Sequence, residues 1–404
     1  MAAFESWLRD ARGLQFADYN VMWRWSITEL EAFWSAIADF FAVPFTTKPD
    51  QWLTGRKMPG AEWCPGAMLN YTDNILKNVE RRAGELALVQ QSETFGRSEL
   101  TWDDLQFRVA SVAARLRGMG VAQGDRVVAV LPNTDTALIA FLATASIGAV
   151  WSICAPDMGH VAILDRFKQI EPKVLIAQDG YLHAGKMVDR SEVLAGIAAA
   201  LPTVTHCVTK PVAQPLPKGH LNWDELTGDA VPYQSTPVPF EHPLWIVYSS
   251  GTTGNPKPIV HGHGGIVLEA CKQSLHQDLS ARDRFCWLTS SGWIMWNAQW
   301  VALGQGARVA LYDGAPNHPD MAVIWRFVAD EGLTYFGAGA AYFSTCMKAG
   351  ITPREEVDLS ALRSLGATGS PLSEDTYDWI YRDVKVDIWL APISGGTDLA
   401  GAFV

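Results

Sequence analysis

The sequence predicts an α/β protein built on two consecutive helix-covered, mainly parallel sheets, and three observations carry that expectation. Short apolar runs alternate with segments whose apolar residues recur at helical spacing, from Leu100 almost to the end of the chain. Runs such as "VVAVL", "VLIA" and "LWIV" are wholly apolar, as strands covered by helices on both faces must be. Seven prolines (211, 215, 217, 232, 237, 239, 243) then break the alternation, and it resumes after them.

Taken in order, "SITELEAFWSAIADFF" places Ser26 and Glu29 at capping-box spacing ahead of Leu30, Phe33, Trp34, Ile37 and Phe41, which predicts an amphipathic helix docked on a larger body. Thr101 and Asp104 cap a second helix through Leu105, Val109, Val112 and Leu116, which Gly118 and Gly120 stop. Strand "RVVAVL", helix "TDTALIAFLATASIG", strand "AVWSIC", helix "HVAILDRFKQI", strand "KVLIAQ", a helix near 187–200 and strand "VTHCVT" continue the series. Beyond the prolines come strand "LWIVYS", a glycine-rich loop, a helix from about His263, strand "RFCWLT", helix "WIMWNAQWVALG", strand "RVALYD", helix "MAVIWRFVAD" and strand "LTYFGA". "LRSLGATG" and "VDIWLAPISGG" close the series. The expected organisation is a helical cap region (1–81), a first α/β lobe (82–210), a proline-rich connection (211–243) and a second lobe with the glycine loop (244–404).

Composition narrows the function classes. A net charge of -11 and a pI near 5.3 leave no footprint for the nucleic-acid backbone, so no nucleic-acid partner is expected and any anionic ligand must be held locally. Residues 137–154, "ALIAFLATASIGAVWSIC", have no charge over eighteen positions, yet Gly148 splits them and no basic anchors flank them. They predict a buried helix running into a buried strand, with no membrane partner. Glu5, Arg9, Asp10 and Arg12 interrupt the first residues, so no secretory leader is expected. Six scattered cysteines without C-x-x-C or zinc spacing suit a reducing cytoplasm, with neither disulfide nor structural metal.

The stretch "YSSGTTGNPKPIVHGHGG", Tyr248 to Gly265, packs five glycines and a lysine into eighteen residues directly after a strand. Ligands of open α/β sheets sit beyond the carboxyl ends of strands, which is where this loop falls. Gly251 and Gly254 let backbone N–H groups turn inward, Ser249, Ser250, Thr252 and Thr253 add hydroxyls, and Lys257 supplies a point charge. On these residues alone the loop is either a polyphosphate cradle or a plain connecting turn. It is not a Walker A loop, because Asn255 and Pro256 separate Gly254 from Lys257, and this disfavours a P-loop nucleotidase.

"SSGTTGNPK" resembles the phosphate loop of the adenylate-forming acyl-CoA synthetases. The likeness extends over almost the whole chain through "WRWSITELEAFW", "GAEWCPGAMLNYTDNIL", "LTWDDL", "GVAQGDRVVAVLPN" and "LDRFKQIEPKVLIA", which are similar to the acetyl-CoA and, more closely, the acetoacetyl-CoA synthetase branch. The resemblance implies the large domain of that family, with ATP, Mg²⁺ and coenzyme A used to activate a short-chain keto acid through an acyl adenylate. It implies Ser249 to Gly254 and Lys257 on the phosphates, with Thr252 and Lys257 acting in catalysis. Thr397 would meet the α-phosphate, and Asp398, where relatives carry the longer Glu, would hold Mg²⁺ directly or through a water.

Gly369, Ser370 and Pro371 would face the adenine, with Pro392, Ile393 and Ser394 opposite. Trp293, Ile294, Met295, Thr368 and Gly395 would line the acyl pocket. Acetate-specific relatives close that pocket with tryptophan where this chain has Gly395, which implies room for about four carbons, and the Thr368 hydroxyl would serve the ketone. The family's later elements, a ribose-binding acidic residue, a hinge and a small C-terminal domain bearing a lysine, are not found in these 404 residues. The resemblance therefore leaves two alternatives open: a nucleotide-binding fragment without full turnover, and a synthetase for another short acid such as 3-hydroxybutyrate.

Overall fold

The computed structural model describes residues 1–249 and 254–403. Two seven-stranded sheets form the frame. The first runs Leu221–Asn222, His206–Lys210, Val174–Gln178, Arg126–Val130, Val150–Cys154, Pro243–Ser249, Lys257–Gly262, and only its last pair is antiparallel. The second runs Trp389–Pro392, Ser364–Thr368, Tyr335–Gly339, Arg284–Trp287, Arg308–Asp313, Leu86–Ser92, Gly96–Thr101, again with an antiparallel last pair. Taken in chain order, the five strands of each sheet outside its hairpin occupy the same spatial positions, so the halves share a topology without sharing obvious sequence.

Sheet membership does not follow chain order. The 86–101 hairpin precedes the parallel strands of the first sheet yet joins the second, and the 243–262 hairpin precedes those of the second yet joins the first. Val309 to Asp313 pair in parallel with Leu88 to Ser92, and Trp245 pairs with Trp151. The second sheet is thus completed by a hairpin from the far side of the chain, and the first by one that lies beyond the expected lobe boundary, because strand pairing is a choice that local periodicity does not record. Gln90 adds a second tie: its buried side chain accepts from Asp135 N at 2.7 Å, at the start of the Asp135–Ser146 helix of the other lobe.

The apolar run 137–154 resolves into that helix, buried from Thr136 to Ser146, and the strand Val150–Cys154. No helix among the described residues is long and apolar enough to cross a membrane. All six cysteines are free. Trp102–Gly118 begins with the expected Thr101/Asp104 capping box. The expected box at Ser26 and Glu29 does not form: Tyr19–Thr28 and Leu30–Phe40 are separate helices, Ser26 lies inside the first, and its hydroxyl donates to Trp23 O. "WIMWNAQWVALG" likewise divides into Ile294–Ala298 and Trp300–Gly304.

The largest core lies between the sheets, where the helices 102–118, 135–146 and 263–276 share one layer, and two further cores fill the outer faces. Phe141 stands at its centre, 5.4 to 6.1 Å from the rings of Tyr71, Trp151, Trp245 and Trp296. Leu30–Phe40 packs against His263–His276, so the N-terminal helices support that middle layer. On the second sheet Trp287, Gly337 and Gly366 are lateral neighbours in register. The Trp287 indole occupies the space that side chains at both glycines would need, with its ring 2.6 Å from the Cβ position of Gly366. Gly366→Ala must therefore displace Trp287 or Tyr335, and overpacking of this kind costs about 1–3 kcal/mol. The variant is expected to melt at lower temperature with an altered near-ultraviolet circular dichroism spectrum; wild-type values for both would refute the seating.

His263 opens the site helix in full burial, and its Nδ1 accepts from Tyr71 N at 3.1 Å. Burial, with a smaller contribution from nearby His242, holds the ring neutral and lowers its pKa to about 3. A depressed histidine binds its proton more readily in the unfolded chain. Its contribution to stability is complete above the ordinary value near 6.5 and is lost as pH falls from there toward 3. Unfolding free energy should drop by up to about 1.4 kcal/mol per pH unit across that window from this group. His263→Asn keeps an acceptor for Tyr71 N without the titration, so its urea midpoint should decline less steeply between pH 6.5 and 4.

Candidate active site

The site grows from the carboxyl ends of neighbouring strands. Ala367 and Pro392 are partners in adjacent parallel strands, so the segments after each emerge side by side. Ile393 N donates to Ala367 O, and the Thr368 hydroxyl donates to Ile393 O, both at 2.7 Å. Gly369, Ser370 and Pro371 therefore stand beside Pro392, Ile393 and Ser394. Gly369 has a φ of 89°, in the left-handed region, and the Trp293 indole lies 3.7 Å from where its Cβ would be. Ser370, Pro371, Pro392 and Ser394 are exposed, which leaves a surface on which a flat ring can lie.

Beyond Ser394 the chain folds into a small hairpin, with Gly395 opposite Ala402 and Gly396 opposite Gly401. Its tip carries Thr397, half-buried, and Asp398, exposed. His261 holds that tip. Its Nδ1 accepts from Trp245 Nε1 at 2.9 Å, so Nε2 bears the proton and donates to Asp398 O at 3.0 Å. Burial lowers the pKa of this ring, and only the neutral form can accept from Trp245 while donating to Asp398.

The Thr397–Asp398 tip is thereby tied to the 243–262 hairpin, whose connection is the glycine loop. Ser249 and Lys257 face each other at the mouth of that hairpin. Lys257 and Gly254 are exposed, and a Cβ at Gly254 would meet nothing. Ser250, Gly251, Thr252 and Thr253 lie outside the described residues. Among the described residues no group of three or more His, Cys, Asp or Glu could hold a metal.

Between this edge and the 263–276 helix lies a cavity of about 170 Å³. Trp293, Ile294, Met295, Thr368 and Gly395 all border it, and so do Gly369, Ile393 and Thr397 from the nucleotide side. Engineered cavities of about 150 Å³ admit benzene, so a ligand of about seven non-hydrogen atoms is of the right size. Two details differ from expectation. The Thr368 proton is engaged by Ile393 O, which leaves its hydroxyl as an acceptor where a ketone requires a donor. A Cβ at Gly395 would collide with the carbonyl of Gly401, so any side chain there acts first on the 395–402 hairpin.

Sequence reasoning missed Trp245, Glu269, Gln273, Trp287 and Asn297, all of which border the cavity. Ile266, Glu269, Ala270 and Gln273 recur at helical spacing and read as the edge of an amphipathic surface helix. In the structure that edge turns inward, with the Glu269 carboxylate 2.8 Å from Lys272 Nζ and accepting from Gln273 Nε2 at 3.3 Å.

Comparison with known proteins assigns the family. The model of the AMP-binding enzyme family matches residues 75–395, and one described as the acetyl-coenzyme A synthetase N-terminus matches residues 19–75. The acetoacetyl-coenzyme A synthetase of Rhizobium meliloti (strain 1021) is 39% identical over 413 residues, covering 100% of this chain and 63% of its own length. That of Gallus gallus is 35% identical over 422 residues, with the same coverage of each chain. A solved structure of acetoacetyl-CoA synthetase from Streptomyces lividans superposes with a TM-score of 0.96 at 44% identity, covering 99% of this chain and 63% of that one. The chain thus spans 63% of the length of these relatives. With the family match running from the first helices through both sheets to the cavity edge, the chain belongs to the AMP-binding enzyme family.

Proposed function

We propose that this chain supplies the acid- and nucleotide-binding domain of an ATP-dependent ligase that converts acetoacetate to acetoacetyl-CoA. The observation that carries the reading is the single cavity wall shared by the acyl candidates (Trp293, Ile294, Met295, Thr368, Gly395) and the nucleotide candidates (Gly369, Ile393, Thr397). In the proposed reaction a carboxylate oxygen bonds to the α-phosphorus of ATP as the bond to pyrophosphate breaks. The thiol of coenzyme A then attacks the acyl carbon and AMP departs.

No protein nucleophile is needed; the protein must align the reactants and neutralise charge. The cavity wall orients the acid, while Gly369 to Pro371 and Pro392 to Ser394 hold the adenine. Lys257 acts on the phosphates together with the loop residues Ser249 to Gly254, and Thr397 on the α-phosphate. Asp398 presents an exposed carboxylate with its backbone fixed by His261. One carboxylate beside substrate phosphates suits Mg²⁺, which keeps several waters and is seldom caged by protein alone. When bound, the ion neutralises charge on the leaving phosphates. Free, mostly buried thiols suit a reducing compartment such as the cytoplasm.

Purified protein incubated with ATP, Mg²⁺ and acid tests this directly. Acetoacetate should support faster pyrophosphate release than acetate, and equal rates would overturn the acyl assignment. Binding of ATP and acetoacetate by calorimetry without release would favour a binding fragment whose turnover needs further segments. No ATP binding by folded protein would remove the nucleotide reading. Lys257→Ala removes one charged contact to phosphate, worth about 1.5–3 kcal/mol, so ATP should bind at least about tenfold more weakly. Unchanged ATP affinity in that variant would take Lys257 out of the site.

A further inference from the structure

The acid cavity has a larger neighbour. Next to it lies a cleft of about 500 Å³ whose lining includes Trp34, Trp63, Phe240, Val260, Leu268 and Leu399. Ile266 and Glu269, three positions apart on the 263–276 helix, are the residues that border both spaces. The rest of the partition is made by pairs of neighbours, one facing each side. Trp245 borders the cavity and bonds to His261, which borders the cleft; Ala400 and Gly401 border the cavity, and Leu399 the cleft.

Most of this partition is fixed. His261 is bonded at both ring nitrogens, residues 399–401 belong to the small hairpin and its tip, and Ile266 is packed in the largest core. Glu269 differs, because its side chain keeps 19% exposure and crosses from the helix to the hairpin. A Cβ at Gly401 would lie 2.5 Å from its Oε1 and 2.9 Å from its Cδ, so the carboxylate rests directly on that glycine. Lys272 Nζ, 2.8 Å from Oε1, and Gln273 Nε2, which donates to Oε1 at 3.3 Å, hold it in that crossing.

The lining of the cleft decides which end of a ligand it suits. It contains no lysine or arginine and includes the carboxylates of Glu241 and Glu269, so an anionic head is repelled there. Its aromatic and aliphatic side chains suit an alkyl chain.

We propose that the Glu269 side chain sets the upper length of the acid: it bars the acyl tail from the outer cleft, into which a longer chain would otherwise extend. The inference rests on the acid-activation reading above and adds to it the residue that limits the substrate class to short acids. Octanoate, with four more carbons than acetoacetate, exceeds the 170 Å³ cavity but not the two spaces joined. Glu269→Ala removes the bar. Glu269→Gln keeps its length while removing its charge.

The test is calorimetric binding of acetoacetate in the presence of butyrate or octanoate, since only an acid that enters the cavity displaces it. Octanoate should displace acetoacetate poorly from the wild type. Each methylene buried in the cleft is worth about fourfold in affinity, so with two of them buried octanoate should compete at least about tenfold more strongly in Glu269→Ala. Glu269→Gln should still favour acetoacetate; a gain for octanoate equal to that of the alanine variant would make charge the barrier and overturn the inference. Should the alanine variant fail to fold by circular dichroism, Glu269→Ser shortens the side chain while keeping a hydroxyl near Lys272, and the same gain is expected of it. A wild type from which octanoate displaces acetoacetate as readily as butyrate does also overturns the inference, because the way into the cleft would already be open. Acetoacetate binding by the wild type with no gain for octanoate in a folded, shortened variant overturns the role of Glu269 alone and leaves the proposed function standing. A wild type that binds no acetoacetate overturns the acid reading itself, and the inference with it.

Discussion

The exchange of hairpins between the two sheets is the constraint on which the rest of the structure depends. The ladder joining Leu88–Ser92 to Val309–Asp313, and the pairing of Trp245 with Trp151, bind each half of the chain into the other's sheet. The second sheet is incomplete without the 86–101 hairpin, from which the whole first sheet separates it in sequence. The helices caught between them, 102–118, 135–146 and 263–276, must satisfy both faces at once. This accounts for a middle layer whose Asp135–Ser146 helix is buried from Thr136 to its last residue.

The candidate site is a consequence of that exchange. Because the 243–262 hairpin belongs to the first sheet, its glycine loop and Lys257 come from one lobe, while Thr368, Gly369, Ile393 and Thr397 come from the other. His261 crosses the seam by accepting from Trp245 and donating to Asp398 O, so the orientation of the Thr397–Asp398 tip depends on an aromatic ring of the opposite sheet. The cavity floor has a similar logic. Trp287 can lie across its sheet because Gly337 and Gly366, its neighbours in register, have no side chains. Glycines that look like strand-end punctuation in the sequence are there to seat an indole.

Much of the fold was legible because helix and strand periodicities differ and the buried strands are almost continuously apolar. The capping box at Thr101 and Asp104 was visible for the same local reason. Leu86–Ser92 was not, since Gln90, Gln91 and Ser92 read as polar, and Gln90 is buried only because it caps a helix of the other lobe. Sheet membership was illegible in principle from one sequence, because hydrogen-bonded pairing leaves no periodic trace. Within the site, the glycine loop stood out by its own residues, whereas the candidates at the strand ends of the second sheet were named through the family resemblance. Glu269, Gln273 and Asn297 were not, because a polar residue on an amphipathic helix reads as solvent-facing until the packing partner is known.

The central claim is that acid and nucleotide meet at this seam, the acid between Trp287, Trp293, Asn297 and Thr368 and the nucleotide along Gly369 to Pro371 and Pro392 to Thr397. A crystal structure of the protein with acetoacetate and a non-hydrolysable ATP analogue tests it most directly. The account predicts the acid inside the 170 Å³ cavity, with its carboxylate toward Thr397 and the adenine against Gly369 and Ile393. Nucleotide or acid bound elsewhere, with this cavity empty, would contradict it.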